Sequence, residues 1–149
     1  MIRIRSVAPR DFQQLLVLMS DLIRSDGGEV RDLGGLELVA RAAGWISDPS
    51  FMLLVATDGD ELLGYLAVSP ELVKDHGGQV GATACGLYVK PEARERGVAG
   101  MLWRSASRVI HGVECEAVQA LVSVENREWA AQLERRGFEP VAALYERRI

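Results

Sequence analysis

Alternating and periodic apolar positions divide the chain into short strands and amphipathic helices. The run Ile2-Arg3-Ile4-Arg5 alternates apolar with polar residues, which predicts a first strand. Apolar residues then recur at helical spacing, so a helix is expected after Pro9 and Asp11. The apolar face predicted for this helix consists of Phe12, Leu15, Leu16, Met19, Leu22 and Ile23.

The next stretch, 25–35, is rich in glycine and charge, and it predicts a mobile loop. A second helix is expected over 36–45, and it ends before Asp48-Pro49 because the residue preceding a proline avoids helical geometry. The residues of this helix expected to face the core are Leu36, Val39, Ala40 and Ala43.

Two apolar runs, 51–56 and 62–68, flank the turn sequence Asp58-Gly59-Asp60 and predict a β-hairpin. A loop over 70–81 follows. The run Gly86-Leu87-Tyr88-Val89, which stops before Pro91, predicts a buried strand. A long helix is expected after it. Its apolar or small face consists of Val98, Met101, Leu102, Ser105, Ala106, Val109, Ile110 and Val113.

The last third of the chain predicts a strand over 117–122 and a short helix opened by Asn126 and ended by Gly137. A final strand or strand pair is expected over 138–149. The complete order is β-α-α-β-β-β-α-β-α-β. This order predicts an α/β fold with a mixed, mainly antiparallel central sheet and flanking helices.

Composition narrows the class of protein. The 149 residues fit one domain, 1–149, and the net charge of −4 disfavours a nucleic-acid binder that works by bulk electrostatics. The two cysteines offer no metal-ligand spacing, so no metal site is predicted, and they favour a reducing compartment. Without a signal pattern or an apolar run of about 18 residues, we expect a cytoplasmic protein that does not enter membranes.

The junction between the buried strand and the long helix is the clearest candidate site. The first N–H groups of a helix have no intrahelical partner, and the helix dipole makes this end attractive to anions. Gly97 and Gly100 let a phosphate approach the backbone, and Arg94 and Arg96 add charge. The sequence fits neither a Walker A loop, which needs Gly-Lys-Ser/Thr, nor the dinucleotide fingerprint G-x-G-x-x-G.

The pattern Arg94-x-x-Gly97-x-Ala99, preceded by Val89-x-Pro91-Glu92, resembles the acyl-CoA-binding signature of the GNAT N-acetyltransferases. The order of predicted elements also agrees with that family, as does Gly137-Phe138 after Asn126. The resemblance implies the acyl-CoA N-acyltransferase fold. It also implies direct transfer of an acetyl group from acetyl-CoA to a primary amine of a small molecule or peptide, in a ternary complex. Relatives that pair through their C-terminal strands further imply a homodimer.

The resemblance assigns the cofactor site residue by residue. The strand residues Leu87 to Val89 would line the acyl-pantetheine, and the loop from Glu95 to Gly100 would cradle the diphosphate. The Val89 N–H would polarise the thioester carbonyl. Asn126 would contact the cofactor or serve only as a helix cap. The complete implied set is Leu87, Tyr88, Val89, Arg94, Glu95, Arg96, Gly97, Val98, Ala99, Gly100, Met101 and Asn126.

The proton-transfer residues of the family do not carry over. The usual glutamate position falls near Cys85, and the usual tyrosine position falls at Leu133. Tyr145 in the last predicted strand and Tyr88 beside the cofactor strand are the candidate substitutes, although Tyr88 also suits a packing role. A chain of water molecules could carry the proton instead.

Two rival functions stay open at this stage. The missing glutamate and tyrosine would suit a non-catalytic acyl-CoA-binding module that regulates or scaffolds a partner. A domain that binds no cofactor is the other alternative. In the family, the acceptor pocket is built from the first two helices and the loops over 25–35 and 70–81. Residue types in those segments specify neither the amine acceptor nor the acyl chain.

Overall fold

The computed structural model describes residues 1–25, 32–73 and 80–149, and of 32–35 it describes the backbone alone. The described residues form five strands and four α-helices. The strands are β1 (Ile2–Ser6), β2 (Met52–Asp58), β3 (Glu61–Ser69), β4 (Gly81–Val89) and β5 (Ala117–Ala120). The helices are α1 (Phe12–Ser25), α2 (Asp32–Ser47), α3 (Val98–His111) and α4 (Arg127–Arg135). Short 3-10 helices, Pro9–Asp11 and Pro91–Arg96, precede α1 and α3.

The strands form one sheet in the order β1-β2-β3-β4-β5. Strands β1 to β4 are antiparallel to their neighbours, and β5 pairs in parallel with β4. The mixed sheet is therefore mainly antiparallel, as the sequence predicts. Its one parallel pair is connected by the crossover helix α3, since parallel strands cannot be joined by a tight turn.

Helices cover both faces of the sheet, and each face has its own apolar core. On one face, Val98, Leu102 and Ala106 of α3 pack against the sheet. On the other face, α1 and α2 contribute Leu15, Leu18, Met19, Leu38 and Ala42. Successive strand side chains alternate between these cores. Both faces of the central strands are thus covered, which explains why β2 and β3 are apolar along almost their whole length.

The predicted element order is confirmed from β1 through α4. The predicted hairpin is formed by β2 and β3, with Gly59 in the turn at φ 61°. Gly137 follows α4 at φ 87°, as expected for a glycine that ends a helix. Both angles lie in the left-handed region, which glycine adopts without steric cost.

The predictions for α2 are wrong in start and orientation. The helix begins at Asp32, so 32–35 is helical and not part of a loop; residues 26–31 of that predicted loop lie outside the described residues. The buried positions are Leu38 and Ala42, while the predicted inward residues Leu36, Val39, Ala40 and Ala43 are exposed. Apolar residues occur on all sides of this helix, so their spacing alone does not select the buried face.

The predicted last strand over 138–149 is also wrong. Phe138 still packs on Trp103 of α3, with ring centroids 5.7 Å apart, and its N–H donates to the Leu133 carbonyl. The segment 139–149 that follows has no strand pairing and is exposed along its length. The reason is that a strand needs a paired neighbour, and within the described residues no strand lies beside this segment.

Candidate functional site

The site begins where β4 and β5 separate. The two strands pair only from Gly81 with Ala117 to Ala84 with Ala120. Strand β4 then continues to Val89 without a neighbour on that side. At the point of separation the register between β3 and β4 shifts by one residue, so Cys85 is the extra residue of a β-bulge. A bulge bends its strand and increases the local twist, which accounts for the divergence.

The free half of β4 presents backbone groups to the gap. The Lys90 N–H donates to the Leu63 carbonyl at 2.8 Å, so Lys90 faces β3. Backbone groups alternate between the two edges of an antiparallel strand. Leu87 and Val89 therefore point their N–H and C=O groups away from β3 and toward the gap. An extended ligand can add there as if it were another strand.

The gap is a small cleft that is open to solvent. Apolar and polar groups share its wall, and Ser123 and Asn126 contribute polar side chains. Helix α1 contributes Leu22, and α4 contributes Trp129. The complete lining is Leu22, Ala84, Cys85, Gly86, Leu87, Leu121, Val122, Ser123, Asn126 and Trp129.

Asn126 has two roles in this structure. Its side-chain oxygen accepts the Trp129 N–H at 3.1 Å, which makes it the N-cap of α4. It also lies in the cleft wall. The two sequence interpretations of Asn126 are therefore compatible, because a residue that begins α4 is also placed beside the free edge of β4.

The predicted anion site lies at one end of the free β4 edge. The 3-10 helix ends at Arg96 and is followed by Gly97, whose φ of 74° favours glycine, and α3 begins at Val98. No side chain caps α3 at Gly97, and its first turn carries no acidic residue. A Cβ on Gly97 would meet nothing within 4 Å. The first N–H groups of α3 have neither an intrahelical partner nor a side-chain cap, which suits a diphosphate.

The two arginines of this loop are already engaged within the protein. The Arg94 Nε–H donates to the Val89 carbonyl at 3.0 Å, and the guanidinium lies 5.5 Å from the centre of the Tyr88 ring. Arg96 forms an ion pair of 3.4 Å with Asp58. Arg94 therefore fastens the end of β4 to the loop, and Arg96 ties the loop to the β2–β3 hairpin.

The structure brings together most of the residues assigned to the cofactor. Leu87, Val89 and the segment 94–101 form a continuous path from the cleft to the start of α3. Val98 and Tyr88 are buried, so Val98 can contribute to a ligand site only through its backbone. Tyr88 belongs to the core beneath α1 and α2, on the face opposite Val89, as strand alternation predicts.

Tyr145 lies away from this path. Tyr145 belongs to the exposed segment 139–149, where it is 92% exposed, and it is not part of the cleft wall. The predicted proton role of Tyr145 thus has no contact to support it in this structure. His76, in the second glycine-rich loop, lies outside the described residues.

Cys85 is the titratable residue of the cleft wall. It lies near the position expected for the family's glutamate, and the bulge turns it toward the cleft, where the residue is exposed. Its thiol contacts the Ala67 carbonyl, with Sγ 3.5 Å from the oxygen. Although the residue as a whole is exposed, neighbouring protein atoms partly desolvate its sulfur, and this desolvation raises the pKa of the thiol. Cys85 is therefore neutral at pH 7, which suits neither a general base nor a nucleophile.

Sequence reasoning missed several parts of the site. Leu22 is predicted only as part of an apolar helix face, and neither Ser123 nor Trp129 is predicted as a site residue. No local signal marks them, because their place in the wall follows from the separation of β4 and β5. The bulge at Cys85 depends on the register between two strands, which a single segment does not encode.

Comparisons with known proteins agree with this geometry. The profile described as "Acetyltransferase (GNAT) family" matches residues 18–138. Among solved structures, the aminoglycoside N-acetyltransferase AAC(6')-Iy in complex with CoA is 18% identical, with a TM-score of 0.78 over 100% of this chain and 95% of that chain. A possible acetyltransferase from Clostridium difficile 630 is 18% identical, with a TM-score of 0.80 over 100% and 98%.

Other structural neighbours carry different descriptions. A transcriptional regulator from Bacillus halodurans C-125 is 20% identical, with a TM-score of 0.79 over 100% of both chains.

No curated protein sequence matches the chain significantly. None of the described helices is both long and apolar enough to cross a membrane. With the profile matching most of its length, this chain belongs to the GNAT family and is an acyl-CoA-dependent acetyltransferase whose donor is acetyl-CoA.

Proposed function

We propose that this protein transfers an acetyl group from acetyl-CoA directly to a primary amine of a small molecule or peptide, within a ternary complex. One observation carries the proposal: the free edge of β4 leads directly to the uncapped start of α3. The donor supplies an activated thioester and a good leaving thiol. Holding the amine beside that thioester accounts for much of the acceleration, since orientation removes a large entropic barrier.

The donor site is divided between backbone groups. The first N–H groups of α3 hold the diphosphate. The Leu87 backbone and the Val89 N–H pair with the pantetheine arm, while the Val89 carbonyl accepts the Arg94 Nε–H. Leu87 lies about 7 Å farther along β4 from the diphosphate loop than Val89 does. It is also the member of this pair that lines the cleft. We therefore assign the polarising N–H to Leu87, where the sequence suggested Val89, and assign Val89 to the pantetheine.

Proton transfer uses water in this proposal. Within the described part of the chain, the cleft wall contains neither a carboxylate nor an imidazole. The neutral Cys85 thiol is no substitute, and Tyr88 is packed in the core. A water molecule at the cleft mouth, held by polar groups such as Ser123, can carry the proton from the attacking amine to solvent.

We propose that the acceptor is an amine on a cationic molecule. The net charge of −4 favours such a substrate in a general way. Structural neighbours include aminoglycoside 6'-N-acetyltransferases and a ribosomal-protein-alanine N-acetyltransferase, which act on an antibiotic amine and a protein amine respectively. Aminoglycosides and short peptides with an N-terminal alanine therefore form the first acceptor panel.

A cytoplasmic location suits the free thiols of Cys85 and Cys115.

The family assignment disfavours the non-catalytic acyl-CoA-binding module that the sequence left open. The observation in its favour is the absence of a carboxylate or imidazole from the described cleft wall. A sensor of this kind would bind acetyl-CoA but would release CoA no faster with an amine than without one. Turnover with any amine of the panel therefore excludes it.

We further propose a homodimer formed through the C-terminal segment 139–149. Its exposed apolar residues include Val141, Leu144 and Tyr145. A second copy can cover them, and it can also offer the outer edge of β5, which pairs with no strand among the described residues. The joining of a free segment to a free edge satisfies backbone groups of both.

Calorimetric titration with acetyl-CoA tests the donor site. We expect micromolar binding by the unmodified protein and a loss of at least about thirtyfold in Gly97→Glu, since a carboxylate repels the diphosphate. Gly137→Glu is the matched control. Both glycines have positive φ and open space at Cβ, so both variants carry the same backbone strain. Equal affinity in the two variants, or no binding by the unmodified protein, would contradict the proposed site.

A further inference from the structure

The two arginines of the loop before α3 already have partners within the protein. Arg94 is committed to the Val89 carbonyl and the Tyr88 ring, and Arg96 is paired with Asp58. A diphosphate carries strong negative charge, which backbone N–H groups neutralise only in part. Another cation near the first turn of α3 would therefore strengthen the binding of a diphosphate.

Arg104 lies one helical turn beyond Gly100, on an exposed part of α3. Helical side chains lean toward the helix N-terminus, so Arg104 extends back over the first turn. Its Nη1 lies 3.5 Å from the position that a Cβ on Gly100 would occupy. The absence of a side chain at Gly100 leaves this guanidinium room beside the free N–H groups.

The charged residues near Arg104 leave its guanidinium available to bind an anion. It forms no salt bridge with any residue that the structure describes. The first turn of α3 contains no acidic residue to compete with a ligand. The guanidinium can therefore offer its N–H donors to an anion that approaches the start of α3.

We propose that Arg104 binds the diphosphate of acetyl-CoA, together with the first N–H groups of α3. This inference rests on the proposed donor site and adds to it a charged side chain outside the loop motif. A guanidinium can donate two parallel hydrogen bonds to phosphate oxygens, which a lysine ammonium cannot reproduce. Arg104 then adds positive charge at the start of α3, whereas Arg94 and Arg96 are held by their contacts with Val89 and Asp58.

The test compares Arg104→Gln with Arg108→Gln in calorimetric titrations with CoA and with 3′-dephospho-CoA. Arg108 is the matched control because it is exposed on the same helix, one turn farther from the loop. We expect Arg104→Gln to weaken the binding of both ligands by the same factor, about tenfold to a hundredfold. Arg108→Gln should bind both ligands as the unmodified protein does, and both variants should melt at unchanged temperatures.

Each other outcome has a definite meaning. Unchanged affinity of Arg104→Gln for both ligands would overturn the inference while leaving the donor site intact. Weaker binding of CoA alone would overturn it too, since Arg104 would then read the 3′-phosphate and not the diphosphate. A failure of the unmodified protein to bind CoA would refute the proposed donor site itself, and this inference with it.

Discussion

At the scale of single residues, Asp11 shows how a buried charge fixes the start of the fold. This residue is only 3% exposed. Its two carboxylate oxygens accept hydrogen bonds of 2.6 and 2.9 Å from Arg5, and Oδ2 also accepts the Ala8 N–H at 2.7 Å. These bonds join β1 to the turn before α1. The Arg5 guanidinium holds the pKa of Asp11 below its usual range.

Replacement of Asp11 by Asn leaves Arg5 without its anion, so we expect the free energy of unfolding to fall by about 2–4 kcal/mol at pH 7. A lowered native pKa stabilises the fold above the pKa of the unfolded carboxyl, about 3.9. That stability is lost as the pH falls through the native pKa, so the difference from the unmodified protein should shrink in acid. Urea unfolding between pH 7 and pH 2 measures this, and the exposed Asp60→Asn is the control.

The loop arginines show what sequence reasoning can and cannot assign at this scale. The spacing of Arg94, Gly97 and Ala99 correctly located the loop and the helix start. It could not reveal that Arg96 pairs with Asp58, which lies in a distant hairpin. Side-chain partners of this kind depend on tertiary contacts, whereas the conformation of Gly97 is a local property.

At the scale of elements, the contact between β3 and β4 controls the geometry of the free edge. A Cβ on Gly64 would lie 2.6 Å from the Tyr88 carbonyl oxygen and 3.2 Å from the Val89 Cα. Both are backbone atoms, so neither can move aside without displacing β4. Any side chain at Gly64 therefore changes the strand that carries Leu87 and Val89.

Gly64→Ala should lower the free energy of unfolding by about 2–3 kcal/mol, as expected for overpacking in a rigid site. Gly44→Ala is the comparison, because its Cβ would meet nothing within 4 Å in α2 and alanine favours helix. That variant should gain about 0.5–1 kcal/mol. Urea unfolding of both proteins measures the two changes. Equal stability of Gly64→Ala and the unmodified protein would show that β3 and β4 adjust freely.

The sequence predicts which helices and strands form more reliably than which face of each helix is buried. The β2–β3 hairpin followed from two apolar runs around Asp58-Gly59-Asp60. The buried face of α2 did not follow, because Leu36 is 70% exposed although it continues an apolar spacing. Contacts with α1 and β2 select the buried face of α2, and these contacts are not contained in its own sequence.

At the scale of the whole molecule, one cleft unites elements that are far apart in sequence. The separation of β4 from β5 creates the wall, α1 and α4 close its sides, and the loop before α3 supplies the anion site. The order of elements was predictable because each has its own pattern. The cleft was predictable only through the family resemblance, since its shape follows from a register shift at Cys85.

The C-terminal segment is the largest departure from the predicted fold, and it leads to a test of the dimer. Leu144 is 83% exposed and Tyr145 92%. Burying such side chains is favourable, because removing apolar surface from water lowers the free energy by about 25 cal/mol for each Å². A second copy is the partner always present in a purified sample. We therefore expect light scattering to give twice the 16.3 kDa of one chain.

The double variant Leu144→Asp with Tyr145→Asp should be monomeric, because two carboxylates cannot be buried unpaired in an apolar contact. Val17→Asp is the control, since Val17 is an exposed apolar residue on α1, far along the chain from this segment. The control should remain dimeric. Its dissociation would place the contact on α1, and a monomeric unmodified protein would refute the dimer. Segment 139–149 packs on no core that the structure describes. The urea midpoint of the double variant should therefore equal that of the unmodified protein, measured at a dilution where the unmodified protein is also monomeric.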